Sequence, residues 1–264
     1  AEIDGTMSDL HIRRLSAEIK RHIAVNLQGD IADFSSFDQA HGNLQLTGNI
    51  SAGAFIKPAL LDAKMQRQVS IPPLSLQGDV DLNRGVIDGE LSAVTHQGDV
   101  ALTAMWNGRR QAYDVDLDMR TFPIQSILPL SGLADIDATV SATGTGLDFF
   151  SPKTEAQAKI DLRSAVYNHQ HLTDITLDAD MAGGHASVKA NSANRAANFS
   201  LDANGNLDGD TLRWQFNGDV RRLDLHVLAL TDSAADASIR FSGRADYSPA
   251  IAATRRRHGR PMAV

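Results

Sequence analysis

The sequence predicts an all-β protein, built as a long antiparallel meander with one or two short helices. Three observations carry this reading. Apolar and polar residues alternate with a period of two along most of the chain. Glycine- and asparagine-bearing turn signals interrupt the alternation at short intervals, close enough for hairpins. Only two stretches have a helical composition.

From the N-terminus, Asp9–Lys20 is ambiguous: Leu10, Arg13, Arg14 and Ala17 suit a helix, but the neighbours are strands, so the stretch is assigned as strand. Ile23, Val25 and Leu27 form the apolar side of the next strand. Residues 58–68 open on Pro58, a favourable first helical residue, continue with strong helix formers and stop before Pro72-Pro73, predicting a short helix. Val100, Leu102, Ala104 and Trp106 alternate up to an Asn107-Gly108 turn. Tyr113, Val115, Leu117 and Met119 follow, with Asp114, Asp116 and Asp118 facing away. Phe122–Leu128 reads as a helical turn between Pro123 and Pro129. Ile136, Ala138, Val140 and Ala142 make another strand. Ile175, Leu177, Ala179 and Met181 pair across Gly183-Gly184 with Ala186, Val188 and Ala190. Phe199, Leu201 and Ala203 come next, followed by an Asp208-Gly209 turn. Beyond it come Leu212, Trp214 and Phe216, then Leu223, Leu225 and Val227 as a separate strand, and finally Ile239 and Phe241.

A weak repeat runs through this pattern: VNLQGDI (25–31), LQLTGNI (44–50), LSLQGDV (74–80) and WQFNGDV (214–220). In each copy the glycine (Gly29, Gly48, Gly78, Gly218) falls on the apolar face. A strand glycine marks a bend, a bulge or a close approach. Repeated on the inner face, these glycines would let a long sheet curl inward; ordinary strand-end punctuation is the other reading.

The chain has 264 residues, no cysteine, 42% hydrophobic and 5% aromatic residues, and a net charge of −7. Arg255, Arg256, Arg257 and Arg260 crowd the last ten residues. Taking these four from the 25 basic residues leaves 21 against 32 acidic ones, a balance of −11. So acidic a body repels phosphate backbones, which argues against nucleic acid. Residues 249–264 are read as a disordered basic tail or a sequence artefact. Cysteine-free composition excludes disulfides and thiolate chemistry and suits the cell envelope. No apolar run approaches the roughly 20 residues that span a bilayer as a helix.

Catalytic signatures are absent from the sequence: there is no nucleophile elbow, P-loop, HExxH or CxxC. The GTG at 144–146 lacks the third glycine of a dinucleotide fingerprint, where Phe149 stands. Asp202, Asn204, Asn206 and Asp208 have calcium-loop spacing, but Leu207 replaces the turn glycine and Arg213 the bidentate glutamate. His169 and His171 could share a strand face and grip a metal, but they sit between two strands with no third histidine beside them. The Asp114, Asp116 and Asp118 series reads as a solvated strand face. The expectation is no enzyme, no cofactor and no metal.

Residues 121–207 carry a resemblance. A short PxxxxLP turn leads to a strand, then GTGLDFFSP (144–152), the Tyr167 strand, the Leu177 hairpin and the Phe199 strand. This resembles a stretch of the TamB proteins of the AsmA-like superfamily, and IPPLSLQGDV (71–80) and QAYDVDL (111–117) are in the same style. The similarity covers most of residues 1–248. The resemblance implies a long curled sheet, U-shaped in section, with an oily groove. It also implies a periplasmic, inner-membrane-anchored protein that moves phospholipid towards the outer membrane and supports outer-membrane protein assembly with a BamA-like partner. The family's N-terminal anchor and C-terminal outer-membrane-proximal domain have no clear match, so an internal segment flanked by further TamB-like segments is expected.

On this reading Ile136, Val140, Ile175, Leu177, Met181, Phe199, Leu201, Trp214 and Phe216 line an apolar trough, while Asp114, Asp116, Asp178 and Asp180 face water. About sixteen to eighteen strands at 4.8 Å spacing would make a groove on the order of 80 Å long. Two other architectures share the alternation. One is a structural or adhesive solenoid or sandwich with a closed core. The other is an outer-membrane barrel, which the sparse aromatics disfavour.

Overall fold

A computed structural model of the chain describes residues 2–6, 9–19, 22–51, 72–127, 133–148, 151–167, 170–207, 212–225 and 236–247. The strands are β1 (Glu2–Thr6), β2 (Asp9–Ile19), β3 (Ile23–Ala32), β4 (His41–Ile50), β5 (Leu74–Asn83), β6 (Val86–Thr95), β7 (Asp99–Asn107) and β8 (Ala112–Pro123). They continue with β9 (Leu133–Thr145), β10 (Glu155–Tyr167), β11 (Gln170–Ala182), β12 (His185–Ala193), β13 (Ala197–Asn206), β14 (Leu212–Asp224) and β15 (Asp236–Tyr247). A single helical turn, α1 (Ile124–Ile127), follows β8. All strands join one fifteen-stranded sheet in sequence order, each pair antiparallel. The sheet is curled and open, with β1 and β15 as its edges.

Most sequence assignments hold locally. Asp9–Ile19 is a strand, and the turn between the two prolines is α1, starting directly after Pro123. Gly183 and Gly184 have φ of +59° and +75°, the double positive φ that a type I′ hairpin requires. One assignment is corrected: Leu223 does not begin a new strand, because β14 runs unbroken from Leu212 to Asp224. Gly218 lies inside it, paired with Leu201 and Phe241, and a register shift between Val220 and Leu223 absorbs the irregularity. The expected 58–68 helix, the Asp208-Gly209 turn and the 249–264 tail lie outside the described residues.

Register shifts sit between Met119 and Phe122, Leu162 and Ser164, Asn198 and Phe199, and Val220 and Leu223. In an antiparallel meander these positions fall towards the same end of the sheet, the end that carries α1. Bulges bend and twist strands, so most of the irregular geometry gathers along one rim; a further shift, between Ile12 and Leu15, lies within β2. At the opposite rim the β3–β4 loop reaches the β7–β8 turn, where Arg109 donates to the Asp38 carbonyl (2.9 Å) and carboxylate (3.2 Å).

The repeat glycines serve different ends. Gly29 has φ +144°, and a Cβ there would run into the Asn43 carbonyl; Gly42, diagonal to it across the Asp30–Asn43 pair, has φ +150° and would meet the Asp30 carbonyl. β3 and β4 approach too closely for side chains at either site. At Gly48 a Cβ would meet its nearest atoms at 3.3 Å, and φ is ordinary. Gly29→Ala should therefore cost about 1–3 kcal/mol through strain, while Gly48→Ala should change stability by less than about 1 kcal/mol. Denaturant melts of the two variants check this; equal losses would overturn the close-approach argument.

Candidate functional site: an open apolar face

Register partners in an antiparallel sheet share a face, so the pairing can be read straight across the molecule. One row, with one residue from each strand β2 to β15, is Leu15, Leu27, Leu46, Gly78, Leu91, Leu102, Leu117, Val140, Ile160, Leu177, Ala190, Leu201, Gly218, Phe241. Its neighbour from β3 to β15, one residue along, is Gln28, Gln45, Asp79, Glu90, Thr103, Asp116, Ser141, Lys159, Asp178, Lys189, Asp202, Asn217, Ser242. No polar side chain enters the first row and no apolar one enters the second.

Every expected trough residue lies on the apolar side. Val140, Leu177 and Leu201 share the row above with Gly78 and Gly218. Ile175 and Phe199 lie in the row that contains Gly48, Leu76, Val100 and Met119. Phe216 shares a third row with Gly29, and Met181 and Trp214 lie in a fourth. Ile136 pairs with Phe122 and Ala165 near the α1 rim. Asp114, Asp116, Asp178 and Asp180 are exposed on the other face. Asp178 and Asp180 border a shallow polar basin of about 510 Å³ with Lys159 and Lys189.

The apolar face has little cover. Leu27, Leu46, Leu91, Leu102, Leu117, Val140, Leu177 and Leu201 are only half-buried, and Ile160, in the middle of a central strand, is 36% exposed. Described core clusters are small. Ile136, Ala138 and Ala165 form one, with Met119, Ile124, Leu133 and Leu162 packed on it; Met181 and Leu207 form the other, with Trp214. In the first, α1 lies on the apolar face through Ile124, next to buried Phe122 and fully buried Pro123.

Towards β15 the face is aromatic. A Cβ at Gly205 would lie 2.7 Å from the Trp214 ring, one at Gly243 2.6 Å from Phe216, and one at Gly218 would strike Phe241. Phe216 and Phe241 also face each other, with centroids 6.3 Å apart. Each glycine is roofed by the ring of its cross-strand partner, the pairing that rescues glycine in sheets. The sequence shows these glycines and aromatics separately, but only the register matches them.

On the polar face behind α1, Arg163 ties three strands together. Its guanidinium donates to Asp137 (2.7 and 2.9 Å), to Asp118 (2.8 Å) and to the Met119 carbonyl at the β8 bulge (3.1 Å). The hydrogen bond from Arg163, then one from Arg120, holds the Asp118 carboxyl below its usual range. Thr121, inside that bulge, has φ +46°, a strained value for a β-branched residue. No sequence signal announces this cluster, because its partners come from three strands. Near β1, a hydrogen bond to Asp30, reinforced by the charge of Asp9, raises the pKa of His11.

Among the described residues no group of three or more histidines and carboxylates is placed to hold a metal ion. His171 is in β11, while His169 lies outside the described residues. Asp202, Asn204 and Asn206 are strand residues of β13. Comparison with protein-family models, curated proteins and solved structures finds no match for the chain.

Because the folded pKa of Asp118 is depressed, its contribution to stability is present above the unfolded value of about 3.9 and is lost as pH falls through the folded value. Arg163→Met should therefore be less stable than the parent at neutral pH, and the gap should close in acid. Denaturant melts at neutral and acidic pH test this; a gap of constant size would show that the ion pairs are incidental.

Proposed function

We propose that the open apolar face carries phospholipid acyl chains, and that the chain is a non-enzymatic segment of a periplasmic lipid-transfer bridge between the inner and outer membranes. The observation that supports this reading most is the row from Leu15 in β2 to Phe241 in β15, which no polar side chain enters and whose leucines are half-exposed, with three more largely apolar rows beside it. Four rows two residues apart span about 20 Å along the strands, the scale of one acyl chain in a bilayer leaflet. Hydrocarbon gains about 0.8 kcal/mol per CH₂ removed from water and needs no hydrogen-bond partner. An extended peptide on this face would leave its backbone polar groups unmatched, at a cost of several kcal/mol. A transmembrane barrel must close to satisfy its edges, whereas here β1 and β15 are at opposite ends of the strand order.

In this role the polar rows keep the outer surface in water, and no side chain performs chemistry. Supporting outer-membrane assembly with a BamA-like partner and continuing into further TamB-like segments belong to the same proposal and rest on the resemblance. Photo-crosslinking tests the core of it. A photoreactive residue replacing Leu177 or Leu201 should capture phospholipid in cells, and one replacing Asp178 should not. Folded protein with empty crosslinks at every inward position would leave a structural β-domain as the better account.

A further inference from the structure

An acyl chain lying along the strands puts its headgroup at one of the two rims, and the rims differ. Both tryptophans of the chain, Trp106 and Trp214, share one row of the apolar face with Tyr113. At β5–β8 that row is Leu82, Ile87, Trp106 and Tyr113, the last before the turns opposite α1. Towards the α1 rim the outermost apolar positions are Ile23, Ile50 and Leu74, then Phe122, Ile136 and Ala165. Rings with an apolar body and a polar tip settle where hydrocarbon meets headgroups. Beyond β11 the aromatic row is covered, with Leu207 against Met181 and Trp214 over Gly205. At β5–β8 its four residues are half-buried.

Past the aromatic row the turns are basic. Arg84 lies three residues before Ile87, and Arg109 three residues after Trp106, followed by Arg110. All three arginines are exposed. Their turns are stitched together: the Gly108 N–H donates to the Gly85 carbonyl and the Arg84 N–H to the Ala40 carbonyl, each at 2.8 Å. Arg109 is paired with Asp38, but both side chains are more than half exposed, and such pairs are weak. Arg84 and Arg110 have no side-chain partner among the described residues. In the adjoining β3–β4 loop, Phe34 and Phe37 are 38% and 40% exposed, and Phe37 leans over Gly108. Towards the α1 rim, by contrast, Arg120, Arg163 and Arg222 are each tied to a carboxylate, and Arg195 is the single arginine of the β12–β13 turn.

We propose that Arg84, Arg109 and Arg110 bind the phosphate of a phospholipid lying on the apolar face. Its headgroup then sits at the β5–β6 and β7–β8 turns, its glycerol at the level of Trp106 and Tyr113, and its acyl chains run along the strands towards α1. The inference rests on the acyl-chain reading above and adds which way round the lipid lies and what recognises its headgroup.

Calorimetric titration of the full chain tests this, with dioctanoyl phosphatidylglycerol below its micellar concentration, dioctanoylglycerol and inorganic phosphate as probes. The two lipids have the same acyl chains and differ in the phosphate-bearing headgroup. Wild type should bind the phosphatidyl lipid about tenfold tighter, because arginine donates strong charge-assisted bonds to phosphate. The triple variant Arg84→Gln, Arg109→Gln, Arg110→Gln should lose that advantage and bind dioctanoylglycerol as before. The double variant Arg84→Gln, Arg110→Gln leaves the Asp38 link intact and should lose most of it, which keeps the test decisive if the triple variant folds poorly. Arg195→Gln should change neither affinity. Equal affinity for both lipids in wild type, or an undiminished preference in the folded double variant, would overturn the headgroup site and leave the acyl-chain reading standing. Inorganic phosphate held by these arginines and not displaced by the phosphatidyl lipid would overturn it as well, in favour of a free-phosphate site. Failure of folded wild type to bind either lipid would remove the acyl-chain reading, and the headgroup site with it.

Discussion

Strand register is the constraint on which the rest of this molecule depends. Side chains change face at every residue, so a slip of one position between β10 and β11 would set Lys159 beside Leu177 and break the apolar row in two. Such a slip anywhere would propagate to the far edge, because each strand is positioned only by its neighbours. Short turns pin the register locally, as at Gly183-Gly184, and so does the close approach of Gly29 and Gly42. Most of the shifts collect at the α1 rim, which lets the sheet bend there; the shift between Ile12 and Leu15 is an exception.

A single-layer sheet is stabilised differently from a packed domain. The described core clusters contain few residues, and most large apolar side chains rest against cross-strand neighbours. Stability then rests on the ladder and its side-chain pairs. On the polar face, Lys159, Asp178, Lys189 and Asp202 alternate in sign across four strands, a favourable order. Asp79 with Glu90 and Asp81 with Asp88 put like charges opposite each other, which costs stability and keeps that part of the surface strongly acidic. An oily face of this extent is an aggregation hazard in water unless something occupies it, and it is on that physical ground that a hydrocarbon ligand is favoured.

The β8–β10 region couples the two faces. Arg163 on the polar side and α1 on the apolar side act on one bulge, so disturbing either is felt by the other. The same region holds the best-buried residues of the described sheet, Ala138, Ala165 and Pro123. It is the one place among the described residues where a helical turn lies over the apolar side, and the local core is correspondingly tighter.

What the sequence determined alone is local and periodic. The alternation of Ile175, Leu177 and Ala179 with Thr176 and Asp178 needs no partner to be read, and neither does the glycine pair that closes their hairpin or the proline that starts α1. The side of the sheet on which Ile175, Leu177, Phe199 and Leu201 lie followed from the same parity. Which strands lie beside one another, and in what phase, is a long-range property, and only the tertiary structure decided it. Leu223 belongs to β14 because β13 and β15 extend past Gly218 to pair with it. Phe241 covers Gly218 because the strands align there. Arg163 meets Asp137 and Asp118, 26 and 45 residues away, because bulges in two strands bring their carboxylates within reach. Whether an apolar face is open or covered is also a matter of which layers pack together, and the same alternating residues would serve a closed sandwich equally well.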